Sequence, residues 1–334
     1  MLKVAINGFG RIGRQVFKAA INKKAKFKVV AVNDLTNPAN LAYLLKYDTA
    51  YGQWQGHKVS ATSKSLTIDG QKIQVFSEKE PDKLPWRELG IDVVVEATGF
   101  FTKKEGAELH LKAGAKSVVI SAPTKSEDLK TYVIGANDKK QVKDKIISNA
   151  SCTTNCTAPV MSILNNSFGV KKALLTTVHA LTATQKMVDG PADKDFRRGR
   201  AASANIVPTS TGAAIATTLT IPSLKNKFDG ISVRVPVIVG SVIDVTAVLK
   251  KKTTVDKVNQ AFIKAAKNPI YKGVLAVSNE PIVSSDIIGS PYSALVDLPF
   301  TKVIDGDLVK VLAWYDNEYG YSCRLVEMVE RMKV

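Results

Sequence analysis

KVAINGFGRIG, residues 3–13, is the stretch that decides the fold of the first part of this chain. Its opening, residues 3–7, has the apolar residues Val4, Ala5 and Ile6 at its centre and predicts a buried strand, and the residues after the turn have the spacing of an amphipathic helix. Gly8, Gly10 and Gly13 lie between them with GxGxxG spacing. Such glycines permit a tight turn and let a pyrophosphate approach the N-terminus of the helix. The stretch therefore predicts a dinucleotide site.

A second apolar run, residues 28–33, ends at Asp34, which lies 21 residues after Gly13. A carboxylate at this place suits the hydroxyls of a ribose. Its presence favours a dinucleotide site over the alternative interpretation, a glycine turn of some other α/β fold. The same carboxylate would repel the 2′-phosphate of NADP, and neither Asn33 nor Leu35 supplies a compensating cation. We therefore expect NAD to be the preferred cofactor.

Strand-like and helical runs alternate through residues 1–150, which indicates a parallel sheet of the Rossmann type. The predicted strands are residues 3–7, 28–33, 92–97, 117–121, 132–135 and 146–148, and the predicted helices are residues 11–21 and 104–113. After Ser151 the strands are longer, as in residues 174–179, 230–237 and 242–249. That pattern is typical of a mostly antiparallel sheet with helices on one face. The predicted fold class is thus α/β plus α+β, with a boundary near residue 150.

Length and composition agree with a two-domain intracellular protein. A chain of 334 residues exceeds what one hydrophobic core usually supports. The first residues already have the pattern of a strand, which leaves no room for a signal peptide. No run of about 18 apolar residues predicts a membrane span, and three cysteines are too few for a secreted disulfide framework. We expect a reducing, cytoplasmic location.

The formal net charge of +17 would attract nucleic acids, anionic membranes and phosphorylated small molecules alike. The basic residues are scattered, with short clusters such as residues 250–252, and they form no dedicated nucleic-acid motif. Steering of anionic substrates is the favoured interpretation, and nucleic-acid binding is not expected as the primary role.

Cys152 lies in the segment SCTTNC, residues 151–156, after a predicted strand and before an apolar helical run. This places the cysteine at a helix N-terminus, where the helix dipole favours a thiolate. Cys156 and Cys323 are interpreted as buried apolar residues. The cysteine spacing lacks a second close ligand pair, so no metal site is predicted.

The chain has three histidines, and one of them stands apart. His57 and His110 lie in polar or lysine-flanked segments and are expected at the surface. His179 ends an apolar strand and begins a polar segment, a place from which catalytic groups commonly project.

Six segments together resemble one family, the phosphorylating glyceraldehyde-3-phosphate dehydrogenases. They are NGFGRIGR (7–14), SNASCTTNC (148–156), TVHA (177–180), PTSTGAA (208–214), VRVP (233–236) and WYDNEYGYS (314–322). The resemblance covers essentially the whole chain, and such a set is highly specific.

The resemblance implies a role for each matching residue, beginning with Cys152 as nucleophile and His179 as its acid–base partner. It implies a cofactor-binding set of Gly8, Gly10, Arg11, Ile12, Gly13, Asp34, Lys79, Ser121 and Asn317, with Lys79 at a position where arginine is common in the family. It implies a substrate- and phosphate-binding set of Ser151, Thr153, Thr182, Arg197, Thr211, Gly212 and Arg234. Hydroxyls and arginines suit phosphate oxygens on chemical grounds as well.

The activity implied is oxidation of glyceraldehyde 3-phosphate with NAD and inorganic phosphate, through a thiohemiacetal and a thioester on Cys152. The competing enzyme is erythrose-4-phosphate dehydrogenase, a relative with the same nucleophile, histidine and cofactor motifs that releases the acid by hydrolysis. A different class of function, a second role of the basic surface in binding nucleic acid or host molecules, stays open.

The implied domains are an NAD-binding domain, residues 1–150, and a catalytic and oligomerisation domain, residues 151–317. The C-terminal helix, residues 318–334, is expected to pack back on the first domain. The long polar stretch 181–207 carries arginines and exceeds an ordinary connection, which favours function. In the family this stretch packs across subunits, so the implied assembly is a homotetramer with two-fold symmetry.

Overall fold

The computed structural model describes residues 1–138 and 140–334 and separates into two compact units. The first contains Met1–Tyr132, residues 140–150 and Ser322–Val334. The second contains Val133–Asp138 and Ser151–Tyr321.

The first unit contains a mostly parallel sheet with strand order β10-β9-β8-β1-β2-β7-β6-β5. Its strands, with the small β3–β4 ribbon, are β1 Leu2–Asn7, β2 Phe27–Asn33, β3 Tyr47–Asp48, β4 Gly52–Gln53, β5 Val59–Thr62, β6 Ser65–Ile68, β7 Gln71–Phe76, β8 Val93–Glu96, β9 Ser117–Ile120 and β10 Ile146–Ser148. The central strands β8 and β9 are buried along their whole length, as expected for a parallel sheet covered on both faces. The antiparallel hairpin β6–β7 turns at Asp69 and Gly70, which both have positive φ, as the DG sequence favours.

The helices of this unit are α1 Arg11–Asn22, α2 Pro38–Lys46, α3 Trp86–Leu89, α4 Lys104–Lys112 and the body of α8 Tyr319–Arg331, with a short 3-10 helix Pro81–Lys83. Asn37 caps α2 by accepting the backbone N–H of Asn40, and proline occupies the first helical position. The last turn of α8 is tied to this unit, because Lys26 N–H donates to Glu330 Oε1 at 2.7 Å and Val142 N–H donates to Arg331 O at 2.8 Å.

The second unit contains a mostly antiparallel sheet with strand order β12-β13-β11-β14-β17-β16-β15. Its strands are β11 Val170–His179, β12 Val207–Ser210, β13 Phe228–Arg234, β14 Ser241–Leu249, β15 Leu275–Ser278, β16 Ala294–Ile304 and β17 Leu308–Tyr315. Alternate residues of β14 and β17 are buried, so one face of the sheet lies on the core.

Helices α5 Cys152–Phe168, α6 Ala213–Thr220 and α7 Val255–Ala266 belong to the second unit, with 3-10 helices Phe196–Gly199, Pro222–Leu224, Pro269–Tyr271 and Ser284–Ile287. The core forms where apolar side chains of α5 and α7, such as Val160, Leu164 and Phe262, pack with Val245 and Val311 of the sheet. Fully burying a side chain of this size contributes about 1.5–3 kcal/mol. The core therefore holds α5, whose first residue is Cys152, against the sheet.

One predicted strand, residues 132–135, is wrong. Asn137 Oδ1 accepts the backbone N–H of Val133 at 2.9 Å, and Asp138 Oδ1 accepts that of Gly135 at 2.8 Å. Gly135 has a φ of +84°. Side-chain capping of this kind favours a turn over a sheet ladder, although the residues are apolar.

Candidate active site

The glycine turn of the first unit has the close contacts that a Rossmann turn requires. A Cβ on Gly13 would lie 2.1 Å from the carbonyl oxygen of Gly8, and one on Gly8, whose φ is +90°, would lie 2.7 Å from Thr98 N. Gly10, the N-cap of α1, has no atom within 4 Å of such a Cβ. Gly8 and Gly13 therefore allow neighbouring parts of the backbone to approach closely. Gly10 leaves open space at the N-terminus of α1.

Asp34 lies directly after β2 beside this turn. Its carboxylate accepts the backbone N–H groups of Phe9 at 2.8 Å and Thr36 at 2.9 Å. Each carboxylate oxygen keeps acceptor capacity for further donors such as ribose hydroxyls.

A cavity of about 620 Å³ opens beside the turn, which suits a large part of a dinucleotide. Gly8, Gly10, Asp34 and Lys79 of the predicted set line it. The open space at Gly10, the unshielded helix N-terminus and the carboxylate fit an adenosine pyrophosphate. The sequence alone assigned no binding role to the other lining residues, which are Asn7, Asn33, Leu35, Glu78, Ala97, Thr98, Phe100 and Phe101.

Five predicted cofactor residues lie outside the lining of this cavity, and Gly13, which packs against Gly8 O, is one of them. Arg11 and Ile12 form the first turn of α1, with Arg11 Nη1 paired to Asp48 Oδ2 at 2.8 Å. Ser121 follows β9 and donates its backbone N–H to Glu96 O at 2.9 Å. Asn317 belongs to the second unit, where its Oδ1 accepts Gly240 N–H at 3.1 Å and Ser241 Oγ–H at 3.0 Å.

The surface location expected for His110 is wrong, because its side chain is fully buried. Trp86 Nε1–H donates to His110 Nδ1 at 3.0 Å, so the ring proton lies on Nε2, 3.0 Å from Glu96 Oε2. The same carboxylate accepts Asn7 Nδ2–H at 2.6 Å and Thr98 N–H at 2.8 Å. This buried network holds Asn7 and Thr98, two of the cavity-lining residues.

In the second unit, Cys152 is the first residue of α5, as predicted. Ser151 caps the helix by accepting Thr154 N–H at 3.1 Å. The Cys152 Sγ lies 3.4 Å from His179 Nε2 and 4.0 Å from Thr153 Oγ1. A thiol and an imidazole at this separation can exchange a proton.

His179 is buried at the end of β11, and its register partner in the parallel strand β13 is Arg234. The pairing brings Arg234 Nη1 to 2.7 Å from His179 Nδ1 and 3.0 Å from Ala180 O. His179 Nδ1 also lies 2.7 Å from Ala180 O. The structure thus brings together Cys152, His179 and Arg234, which lie far apart in the sequence.

Burial acts against charge at this site. It raises the pKa of the Cys152 thiol, and the positive charge of Arg234 opposes this rise. Burial, with Arg234 as the second cause, lowers the pKa of His179 to about 3. The helix dipole alone predicts a thiolate, and burial of the sulfur acts against that charge.

Tyr315 supports the site and was not singled out from the sequence. Its buried hydroxyl lies 2.8 Å from the hydroxyls of Thr153 and Thr177. It thereby ties the first turn of α5 to β11. Tyr315 is a buried residue of β17 within the segment 314–322, and that position could have marked it as a residue of the site.

The remaining phosphate candidates are polar groups at element ends. Thr182 Oγ1 bonds Thr184 Oγ1 at 2.9 Å, Thr211 Oγ1 accepts Ala213 N–H at 3.2 Å, and Gly212 is the N-cap of α6. Arg197 is exposed.

The neighbouring arginine, Arg198, is the one that the structure brings towards the site. Its Nε donates to Thr209 Oγ1 at 2.9 Å, and its charge acts on Arg234. Sequence reasoning missed it, because two adjacent arginines in an irregular segment cannot be told apart by pattern.

In the described part of the chain, no helix is both long enough and apolar enough to cross a membrane. Within residues 1–138 and 140–334, no group of three or more His, Cys, Asp and Glu side chains could hold a metal ion.

Fold and site together define a class of protein, a Rossmann-type dinucleotide-binding chain whose second unit carries a thiol–imidazole pair beside an arginine. Two family models match it: "Glyceraldehyde 3-phosphate dehydrogenase, NAD binding domain" over residues 2–104 and "Glyceraldehyde 3-phosphate dehydrogenase, C-terminal domain" over residues 151–317. The chain belongs to the glyceraldehyde-3-phosphate dehydrogenase family.

Curated relatives agree over nearly their whole length. Glyceraldehyde-3-phosphate dehydrogenase 2 of Streptomyces avermitilis is 51% identical over 329 residues, which is 98% of this chain and 97% of the relative. The Geobacillus stearothermophilus enzyme of the same name is 51% identical over 329 residues, with the same coverage. Glyceraldehyde-3-phosphate dehydrogenase 1 of Kluyveromyces lactis is 48% identical over 333 residues, 99% of this chain and 100% of the relative.

Proposed function

We propose that the chain is an NAD-dependent, phosphorylating glyceraldehyde-3-phosphate dehydrogenase of glycolysis. It converts glyceraldehyde 3-phosphate and inorganic phosphate to 1,3-bisphosphoglycerate. The observation that carries this proposal is the 3.4 Å approach of Cys152 Sγ to His179 Nε2 at the N-terminus of α5, within a chain of this family. A thiol so placed can hold an acyl group as a thioester.

For the first domain, residues 1–150 with 318–334, we propose NAD binding. The backbone of Gly8, Gly10, Arg11, Ile12 and Gly13 would hold the pyrophosphate, Asp34 the adenosine ribose, Lys79 and Ser121 the adenine side, and Asn317 of the second domain the carboxamide. Bound NAD would accept a hydride from the aldehyde carbon. The cavity beside Gly10 and Asp34 supports this assignment.

Cys152 and His179 would carry the covalent chemistry of residues 151–317. Cys152 Sγ attacks the aldehyde carbon, and its proton passes to the developing alkoxide to give a thiohemiacetal. His179 Nε2 then removes that hydroxyl proton as hydride leaves, which produces the thioester. Phosphate attacks the thioester, the acyl phosphate leaves, and the proton on His179 returns to the sulfur.

Two anions must be held during this sequence. We propose that Arg234, Thr182 and Arg197 bind the substrate phosphate and that Ser151, Thr153, Thr211 and Gly212 bind the attacking phosphate. Arg198 is close enough to Arg234 for the two positive charges to repel each other, so it would favour an anion bound there. Guanidinium groups form charge-assisted bidentate bonds to phosphate.

We further propose a cytoplasmic homotetramer with two-fold symmetry. Its three cysteines are free, which suits a reducing compartment. The open face of the second unit's sheet exposes Leu174 by 66%, and Leu219 and Ile215 of α6 by 57% and 64%. These side chains line a cavity of about 960 Å³ in that unit, and exposed apolar patches of this kind mark protein interfaces.

The test is a steady-state assay of NADH formation with glyceraldehyde 3-phosphate and, separately, erythrose 4-phosphate, each with and without inorganic phosphate. We expect turnover of glyceraldehyde 3-phosphate that depends strictly on phosphate. Phosphate-independent turnover that favours erythrose 4-phosphate would contradict the proposal. Equal catalytic efficiency with NADP would contradict the cofactor assignment.

A further inference from the structure

A relay of side-chain hydrogen bonds runs through the first unit and reaches the dinucleotide cavity. Its inner end consists of Trp86, His110 and Glu96, which are buried and do not belong to the cavity lining. Trp86 Nε1–H donates to His110 Nδ1 at 3.0 Å, and His110 Nε2–H donates to Glu96 Oε2 at 3.0 Å. Glu96 also accepts Asn7 Nδ2–H at 2.6 Å and Thr98 N–H at 2.8 Å. Both of these donors belong to residues that line the cavity.

The relay continues from Asn7 to a second part of the cavity wall. Asn7 Oδ1 accepts Asn33 Nδ2–H at 2.7 Å. Asn33 binds the backbone of Glu78 twice, because its Nδ2–H donates to Glu78 O at 2.8 Å and its Oδ1 accepts Glu78 N–H at 2.9 Å. Glu78 and its neighbour Lys79 also line the cavity. The relay therefore joins the ends of β1, β2 and β8 to the segment that follows β7.

The buried carboxylate sets the direction of every later bond in this relay. Four donors meet at Glu96, so it acts only as an acceptor. It must receive the amino group of the Asn7 amide, which leaves the Asn7 carbonyl to face Asn33. Asn33 must then present its amino group to Asn7, which leaves its own carbonyl for Glu78 N–H. A change at the buried end is therefore felt at the cavity wall.

We propose that His110 and Glu96 are positioning residues for the cofactor, which hold the adenosine end of the cavity in the geometry that binds NAD. A wall that is held before the ligand arrives loses little conformational freedom on binding, which favours affinity. His110 acts only at second hand, because its ring proton goes to Glu96. Without that proton the buried carboxylate has one donor fewer, and the bonds to Asn7 and Thr98 readjust.

This inference rests on the proposed function, because it takes NAD as the ligand of this cavity. It extends that function to buried residues that have no contact with the cavity.

The test is the affinity of His110→Gln and His110→Asn for NAD and for ADP-ribose, measured by isothermal titration calorimetry. The amide nitrogen of Gln lies as many bonds from Cβ as Nε2 does, so it can still donate to Glu96. The amide of Asn is one bond shorter and corresponds to Nδ1, so it can accept from Trp86 but does not reach Glu96.

Both variants lose the imidazole ring, and they differ in the donor that reaches Glu96. We expect His110→Asn to bind NAD about tenfold more weakly than the wild type, and His110→Gln to stay within about twofold of it. ADP-ribose should show the same losses as NAD, because the relay holds the adenosine end. Equal affinities in the two variants, or a loss confined to NAD, would overturn the inference.

Leu66→Ala is the control for lost stability. Leu66 is fully buried on β6, outside the relay, and truncation there destabilises the same unit. It should lower the midpoint of denaturant unfolding and leave both affinities in place. An affinity loss in Leu66→Ala as large as that in His110→Asn would show that stability alone is measured, which contradicts the inference.

Hydrogen–deuterium exchange of the wild type needs no variant to fold. Thr98 N–H should exchange slowly in the protein without NAD, because Glu96 already holds it. Fast exchange at Thr98 without NAD would mean that the wall is not held in advance, and it would overturn the inference.

An assay of NADH formation separates the two proposals. Aldehyde oxidation with equal NAD affinities in His110→Gln and His110→Asn would refute the inference and leave the proposed function standing. A loss of NAD affinity confined to His110→Asn, in a protein that does not oxidise the aldehyde, would refute the proposed function and leave the inference standing.

Discussion

The reactivity of Cys152 depends more on its neighbours than on its own ionisation. A thiol of pKa ~8.5 is about 3% ionised at pH 7, and lowering that pKa by about two units would raise the thiolate roughly 25-fold. With a Brønsted slope of about 0.45, the weaker nucleophile loses roughly eightfold of this gain. Even a pKa lowered by about two units would therefore contribute only about threefold, and burial raises the pKa of Cys152 here, so we expect the main contribution of His179 to be the proton transfer that accompanies hydride loss.

The first prediction concerns the two steps to which His179 could contribute, ionisation of Cys152 and proton removal during hydride transfer. His179→Asn should slow hydride transfer by about 10²–10⁴, the usual contribution of a general base. It should slow alkylation of Cys152 by iodoacetamide only severalfold, about the size of the ionisation effect. Single-turnover NADH formation and alkylation rates measure the two steps, and equal losses in both would contradict the assignment.

The second prediction concerns pH. The charge of Arg234 opposes the rise that burial causes in the pKa of Cys152. Removing that charge in Arg234→Gln should raise the pKa further, so less thiolate is present at pH 7 and alkylation slows. The midpoint of the alkylation rate against pH should move upward.

Arg200→Gln is the control. The exposed guanidinium of Arg200 pairs with Asp189 at 3.0 Å within the stretch 181–207. It should leave the midpoint in place. An unchanged or lowered midpoint in Arg234→Gln would show that its charge does not act on the sulfur.

Single residues with local signals could be predicted from the sequence, and those defined by distant partners could not. The position of Cys152 at the start of α5 follows from the cap Ser151 and the apolar run after it. The burial of His110 depends on Trp86 and Glu96, 24 and 14 residues away in sequence, so its lysine-flanked segment misleads.

At the scale of elements, the glycine turn between β1 and α1 yields the third prediction. Gly13→Ala would force a Cβ to 2.1 Å from Gly8 O, so it should cost about 3 kcal/mol or more of stability. Gly10→Ala meets no atom within 4 Å, and its φ of −72° suits alanine, so stability should fall by less than about 1 kcal/mol.

Gly10→Ala should instead weaken NAD binding about tenfold or more, which is about 1.4 kcal/mol, because the methyl group would occupy space open to the pyrophosphate. Denaturant unfolding and titration with NAD separate the two effects. A folded Gly10→Ala variant with unchanged NAD affinity would contradict the placement of the pyrophosphate.

Elements with a clear period were predicted within a few residues, as for β1, β2, α1 and α4. Their apolar spacing reflects the face that they bury. Residues 132–135 were predicted as a strand, and this was wrong. The side chains of Asn137 and Asp138 accept backbone N–H groups of this segment, and the apolar pattern of the segment carries no sign of those bonds. The pairing of β11 with β13, which creates the His179–Arg234 contact, joins segments about 55 residues apart and leaves no local trace in the sequence.

At the scale of the whole molecule, the exposed apolar face of the second unit yields the fourth prediction. Leu174→Lys places a charge where the proposed subunit contact would exclude water, so light scattering should show a smaller species than the wild type. Ile270→Lys, at a residue exposed by 63% outside the cavity lining, is the control and should leave the assembly unchanged. A fully assembled Leu174→Lys protein would exclude this face as the interface.

The register between β11 and β13 has a consequence for protein design. His179 and Arg234 face each other because seven consecutive pairs hold the two strands in step, from Ala173–Phe228 to His179–Arg234. A slip of one residue would turn either side chain to the opposite face of the sheet. An engineer who wished to graft this centre onto another scaffold would have to transplant both strands and the first turn of α5 as one block, because the strand register and the start of the helix together set the spacing of the three side chains.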